Sequence, residues 1–138
     1  MQNTFTILKP DTVKAGNAGA VMSQIENAGF RIRAVKMLHL TEAQARGFYY
    51  VHKERPFFGS LVTFMPEGPV VLMVLEAENA IETLRKVMGA TDPAKADAGT
   101  IRKQFGTNIE RNAIHGSDGP DTAAFEISYF FSQIEIVK

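Results

Sequence analysis

An α+β fold is what this sequence predicts, an antiparallel sheet covered by helices, and three observations predict it. Short apolar runs bounded by proline or glycine recur along the chain, as strands do. Segments with apolar residues at helical spacing lie between them. With insertions removed, the order of these elements is β-α-β-β-α-β, the ferredoxin-like pattern. That pattern hosts many activities and names none of them.

Each element follows from local chemistry. Phe5–Leu8 is a short apolar run that Pro10 breaks, so it reads as a strand entering a loop. Val21, Met22, Ile25 and Ala28 stand at helical spacing, and Gly29 ends that helix. Phe30–Leu40 reads as a strand, with a slip in its alternation near Val35 and Lys36 that predicts a bulge. Thr41 and Gln44 form a capping box that opens a helix running to about Val51. Pro56 starts a second short helix, and the two make an inserted helical hairpin ending before Pro66. After the turn at Met65–Pro69, the residues Val70–Leu75 are apolar on both faces, which predicts a central strand. Asn79 to about Met88 is a helix closed by Gly89, with Ile81, Leu84, Val87 and Met88 as its buried stripe. Residues 89–108 are expected as a long loop with one helical turn at Ile101–Phe105, and a loop of that length in a small domain is usually functional. Ile109–Ile114 is expected as the last strand, Gly116–Gly119 as a turn, and Pro120 as the start of a helix to about Phe131.

At 138 residues the chain is expected to be a single domain, 1–138, and 45% hydrophobic residues suit a packed core. Fifteen Lys+Arg balance fifteen Asp+Glu, so no basic surface for long nucleic acid is indicated, although a local basic cleft remains open. The absence of cysteine excludes disulfides and thiol catalysis. The N-terminus lacks the charged and apolar regions of a signal peptide, and Val70–Leu75 is too short to span a bilayer. A cytoplasmic protein without membrane contact is therefore expected.

The stretch Asn112–Asp121 carries the chemistry. It places His115 at a strand end before a turn and a helix start, where unpaired N–H groups favour anions. A lone histidine in such a place is usually half-buried and satisfied locally. A neutral imidazole there can also act as a nucleophile and form a covalent phosphoryl intermediate. Glu126, eleven residues on, is placed to fix its tautomer.

The run Asn112-Ala-Ile-His-Gly-Ser-Asp118 resembles the active-site signature of nucleoside diphosphate kinases. Further blocks resemble that family in order and spacing: Ile7–Asp11, His52–Phe58, Gly68–Val71, Arg85–Pro93 and Gly99–Arg102. The resemblance implies exchange of the γ-phosphate between ATP or other nucleoside triphosphates and nucleoside diphosphates, by a ping-pong route through a phosphohistidine at His115. It implies that Glu126 and Ser117 support His115. Lys9, Tyr49, Arg85, Thr91, Arg102 and Asn112 would surround phosphates and ribose, and Phe57 would stack on the base. Leu61, Ile109 and Gly116 complete the implied nucleotide-binding set, and Asp118 would reach Mg²⁺ through water.

The residue types suit that chemistry. Arginine gives forked donors to phosphate oxygens and lysine a point charge. A stacking face accepts any base. The sequence departs from the family at Gly119, where serine is common, and at Ala98, where proline is common; a looser turn and a looser loop are the expectations. Taken with a short stretch after the last helix, the resemblance points to a homo-oligomer, a tetramer rather than a hexamer. His39 and His52, lacking matching partners, are read as surface or strand-face residues.

Overall fold

The computed structural model describes residues Met1–Lys138. Its elements are β1 (Gln2–Leu8), α1 (Pro10–Lys14), α2 (Ala18–Asn27), β2 (Arg31–Leu38), α3 (Glu42–Phe48), α4 (Phe58–Phe64), β3 (Val70–Ala77), α5 (Ala80–Met88), α6 (Ile101–Phe105), β4 (Ile114–Gly116) and α7 (Pro120–Phe130). Single 3₁₀ turns occur at Tyr50–His52, Met65–Glu67, Pro93–Lys95 and Gln133–Glu135. The sheet order is β2-β3-β1-β4 and every pairing is antiparallel. The α+β ferredoxin-like expectation holds, with the helical hairpin α3–α4 inserted between β2 and β3.

The apolar run of β3 has a simple cause. Val70, Leu72 and Val74 join one core with Phe5, Ile7, Phe48, Val62 and Phe64, beneath α3, α4 and α7. Val71, Met73 and Leu75 join a second core with Val21, Ile25, Leu84, Met88 and Ile101, beneath α2, α5 and α6. A strand buried on both faces must be apolar at successive positions. Each fully buried aliphatic chain contributes about 2 kcal/mol, so the two cores fix the sheet between the helix layers.

The structure corrects three local expectations. Pro10 does not open a loop; it stands at the first position of α1, where its missing N–H costs nothing. The β2 bulge lies between Ile32 and Ala34, at Arg33, whose Nε donates to Glu76 on β3 at 3.2 Å. Val35 and Lys36 pair regularly with Met73 and Leu72. The irregular pattern there arises because Val35 is exposed while Lys36 reaches inward to donate to the Phe130 carbonyl at 2.7 Å. The last strand begins at Ile114 rather than Ile109, because Ala113 has φ 75°, a left-handed conformation that no strand accommodates.

The two departures from the family pattern have local compensation. Thr122 Oγ1 accepts from the backbone N–H of Asp118 at 3.2 Å and of Gly119 at 3.0 Å, so the turn is capped without a serine at 119. Beyond Ala98, Gly99 O accepts from Gln24 Nε2 at 2.7 Å and Gln104 Nε2 at 2.9 Å, which ties the long loop to α2 and α6.

Candidate active site

The β1–β4 edge, α5, the long loop and the hairpin surround a cleft of about 470 Å³. That lies within the ~300–1,000 Å³ of small-molecule sites. His115 stands on its floor. Its Cα pairs with Ile7, and its carbonyl accepts from Thr6 Oγ1 at 2.7 Å. The imidazole lies edge-on to Phe48 and Tyr49, with ring centroids 5.3 and 6.2 Å away. Its Nε2 meets Glu126 Oε1 at 2.9 Å, and the same oxygen accepts from Ser117 Oγ at 2.7 Å. Glu126 and Ser117 are buried behind the histidine and do not line the cleft. With Nε2 engaged by a carboxylate, Nε2 carries the proton and Nδ1 is left with its lone pair.

The buried cations are anchored by the protein's own groups. Lys9 is 6% exposed, and its Nζ donates to Asn112 Oδ1 at 2.8 Å. Burial, helped by the nearby Arg102 charge, pulls its pKa down to about 8. Asn112 is held in turn through Nδ2, which donates to the Thr91 carbonyl at 3.0 Å. Arg102 on α6 donates from Nη1 to Gly89 O at 3.1 Å and from Nη2 to Ile114 O at 2.9 Å. Burial first, then Arg85, lowers Arg102 to about 10. Its Nε is buried without a partner, as is the hydroxyl of Tyr49. Arg85 on α5 pairs with Asp118 at 3.1 Å, both well exposed.

The remaining expected residues sit on the same walls. Phe57 and Leu61 flank the hairpin side, Thr91 and Ile109 the loop side, and Gly116 the floor. Phe57 is 45% exposed, whereas its neighbour Phe58 packs against the core. The pair therefore divides into one cleft-facing ring and one structural ring. Gly116 has no room for a side chain, since a Cβ there would lie 2.6 Å from Met88 Sδ. Sequence reasoning missed Ser60, Glu110 and His52 on the cleft wall. For His52 the available signal was its spacing from Phe57, whose ring centroid is 5.6 Å away. His39 is exposed and bonds Pro66 O at 2.7 Å, as a surface histidine does.

A histidine among positive groups held in place by the protein is an arrangement suited to transfer of a phosphoryl group, so fold and cleft together point to the phosphotransferases. The family model for nucleoside diphosphate kinase matches residues 2–136. A nucleoside diphosphate kinase of Geotalea uraniireducens is 60% identical over 137 residues, 99% of this chain and 100% of that protein. One from Geobacter sulfurreducens is 58% identical with the same coverage. Among solved structures, the Aquifex aeolicus nucleoside diphosphate kinase superposes with a TM-score of 0.96 at 47% identity, covering 99% of both chains. The Halobacterium salinarum enzyme, solved in complex with CDP, gives 0.94 at 38% identity, covering 99% of this chain and 91% of that one. The chain belongs to the nucleoside diphosphate kinase family.

Proposed function

We propose that His115 carries the phosphate in the exchange that a nucleoside diphosphate kinase performs. The observation that carries this reading is the Nε2–Glu126 hydrogen bond, which leaves Nδ1 as the attacking nitrogen. In the first half-reaction the Nδ1 lone pair bonds to the γ-phosphorus of a nucleoside triphosphate. The bond from that phosphorus to the β–γ bridging oxygen breaks, and the nucleoside diphosphate leaves. Positive charge develops on the ring and is met by the Glu126 carboxylate, which Ser117 holds in place. In the second half-reaction a β-phosphate oxygen of another diphosphate attacks the phosphorus, and the N–P bond breaks. The transition state spreads negative charge over the transferring oxygens. Arg102 with its free Nε, Lys9, Arg85 and the Tyr49 hydroxyl are positioned to receive it, while Thr91 and Asn112 supply neutral donors.

Phe57 offers an exposed ring for base stacking, with Leu61 and Ile109 at its sides, which suits purines and pyrimidines alike. No three or more His, Cys, Asp or Glu side chains are grouped so that they could hold a metal ion by themselves. The residues instead suit Mg²⁺ carried on the nucleotide, with Asp118 the one nearby carboxylate on the Arg85 wall. Bound Mg²⁺ supplies charge neutralisation across the phosphates. The chain acts as one catalytic domain, 1–138, in the cytoplasm, with nucleotides rather than nucleic acid or membrane as partners. No helix is long and apolar enough to cross a membrane. Assembly is a homotetramer built from dimers, supported by the apolar side chains Val35 and Met37 that β2 leaves exposed.

The test is incubation with γ-labelled ATP and no acceptor. An acid-labile, base-stable label, lost on adding a nucleoside diphosphate and absent from His115→Ala, is expected. Near-normal exchange by His115→Ala would overturn the reading.

A further inference from the structure

Asn112 and His115 are three residues apart, and in an uninterrupted strand such residues point to opposite faces. Both nevertheless line the cleft. The cause is a γ-turn centred on Ala113, closed by the Ile114 N–H donating to Asn112 O at 2.9 Å. Ala113 adopts φ 75° there and is completely buried. An alanine disfavours that conformation by an amount that neighbouring contacts must offset. No glycine relieves it.

The contacts come from one short segment. The Ala113 N–H donates to Asp11 Oδ2 at 3.1 Å. The Ala113 carbonyl accepts from the Lys9 N–H at 2.9 Å and from Thr12 Oγ1 at 2.8 Å. Both polar groups of the strained peptide unit are thus gripped by residues 9–12. The Asp11 carboxyl is half-withdrawn from water, and its other oxygen is buried without a partner. Burial raises its pKa, with the Ala113 N–H opposing the rise. Withdrawing a carboxylate from water in this way is unfavourable unless its hydrogen bonds offset it, and nothing in the phosphate chemistry uses it.

We propose that Asp11 is a positioning residue, which holds the γ-turn at Ala113 and so brings both Asn112 and His115 into the cleft. It acts through the backbone and does not touch the reacting atoms. The inference rests on His115 being the phosphate carrier.

The experiment follows the rate of His115 labelling by γ-labelled ATP in single turnover, together with thermal melting. Asp11→Ala is expected to slow labelling about tenfold or more, as loss of a buried hydrogen bond to a charged group would. Asp11→Asn, which keeps an acceptor oxygen, should lose less. The decisive variant is Asp11→Ala combined with Ala113→Gly. Glycine adopts positive φ without penalty, so the turn no longer needs its clamp and the labelling rate recovers. A purely structural role for Asp11 at the start of α1 would not respond to a change at residue 113. Near-parental labelling by Asp11→Ala overturns the proposal, as does a double variant that stays equally slow. If Asp11→Ala does not fold, recovery of both folding and labelling in the double variant supports the proposal, and failure of either overturns it. A parent protein that takes no label strikes at the phosphohistidine reading itself, and the inference falls with it.

Discussion

Replacing Lys9 by methionine should make the protein more stable and less able to bind triphosphate. At pH 7 Lys9 is charged yet only 6% exposed, with its pKa pulled from 10.5 to about 8. That lowering corresponds to ~3 kcal/mol of unfavourable burial. Methionine removes this cost and keeps much of the volume. It leaves Asn112 Oδ1 without its 2.8 Å donor, which returns ~1 kcal/mol. The net expectation is a gain of ~2 kcal/mol at pH 7. For a chain of this size that is a rise in Tm of roughly 7 °C. The sign of the pH dependence is fixed as well. The unfolded chain holds the lysine proton more tightly than the folded one, so the parent gains stability as pH rises from about 8 to 10.5. The advantage of Lys9→Met is therefore full below pH 8 and shrinks across that window. Urea unfolding at pH 7, 8.5 and 10, with nucleotide titration at pH 7, measures both effects. A variant less stable than the parent at pH 7, or an advantage that does not change with pH, would refute the reasoning.

Three further outcomes are expected. Glu126→Gln keeps an acceptor for His115 but removes the charge; His115 phosphorylation should slow by up to roughly a hundredfold, the ~3 kcal/mol that a hydrogen bond to a charged group contributes at most, with nucleotide Kd little changed. Rapid-quench labelling gives the rate. Gly116→Ala places a Cβ 2.6 Å from Met88 Sδ and 3.2 Å from Leu84 Cδ2, so calorimetry should show a loss of ~1–3 kcal/mol together with reduced turnover. Phe57→Ala should leave Tm almost unchanged and raise KM for all bases together by about tenfold, whereas Phe58→Ala should cost about 2 kcal/mol of stability; KM and Tm for the two variants show whether the exposed and packed rings divide as described.

Much of this molecule could be read from the chain because its signals are local. The run Val70–Leu75 announced a strand buried on both faces, and β3 is buried on both. The capping box at Thr41 and Gln44 is present in both directions, at 2.9 and 3.1 Å. The cleft residues came from a family resemblance in several blocks, since Lys9 and Arg85 taken alone look like any surface cation. What escaped was set by distant partners. The start of β4 depends on Asp11, Lys9 and Thr12 forcing Ala113 into a conformation that alanine gives no hint of. The bulge in β2 falls at Arg33, which bonds Glu76 on β3, a partner distant in the chain. Whether Phe57 or Phe58 faces out is decided by the hairpin, since neither residue carries that information by itself.

The two buried cations of the cleft, Lys9 and Arg102, are tethered to an amide and to backbone carbonyls, so they are held from following a departing nucleotide or leaning towards an arriving one. Arg102 is tied to the Gly89 and Ile114 carbonyls and Lys9 to Asn112 by the protein's own groups. An immobile setting of this kind favours neither direction. Donor and acceptor both end in a phosphate of the same chemistry, and both meet the same charges in the same places. The two half-reactions are then near mirror images, each the reverse of the other through the same kind of transition state. The net flow is then left to the nucleotide pools and not to any preference of the site.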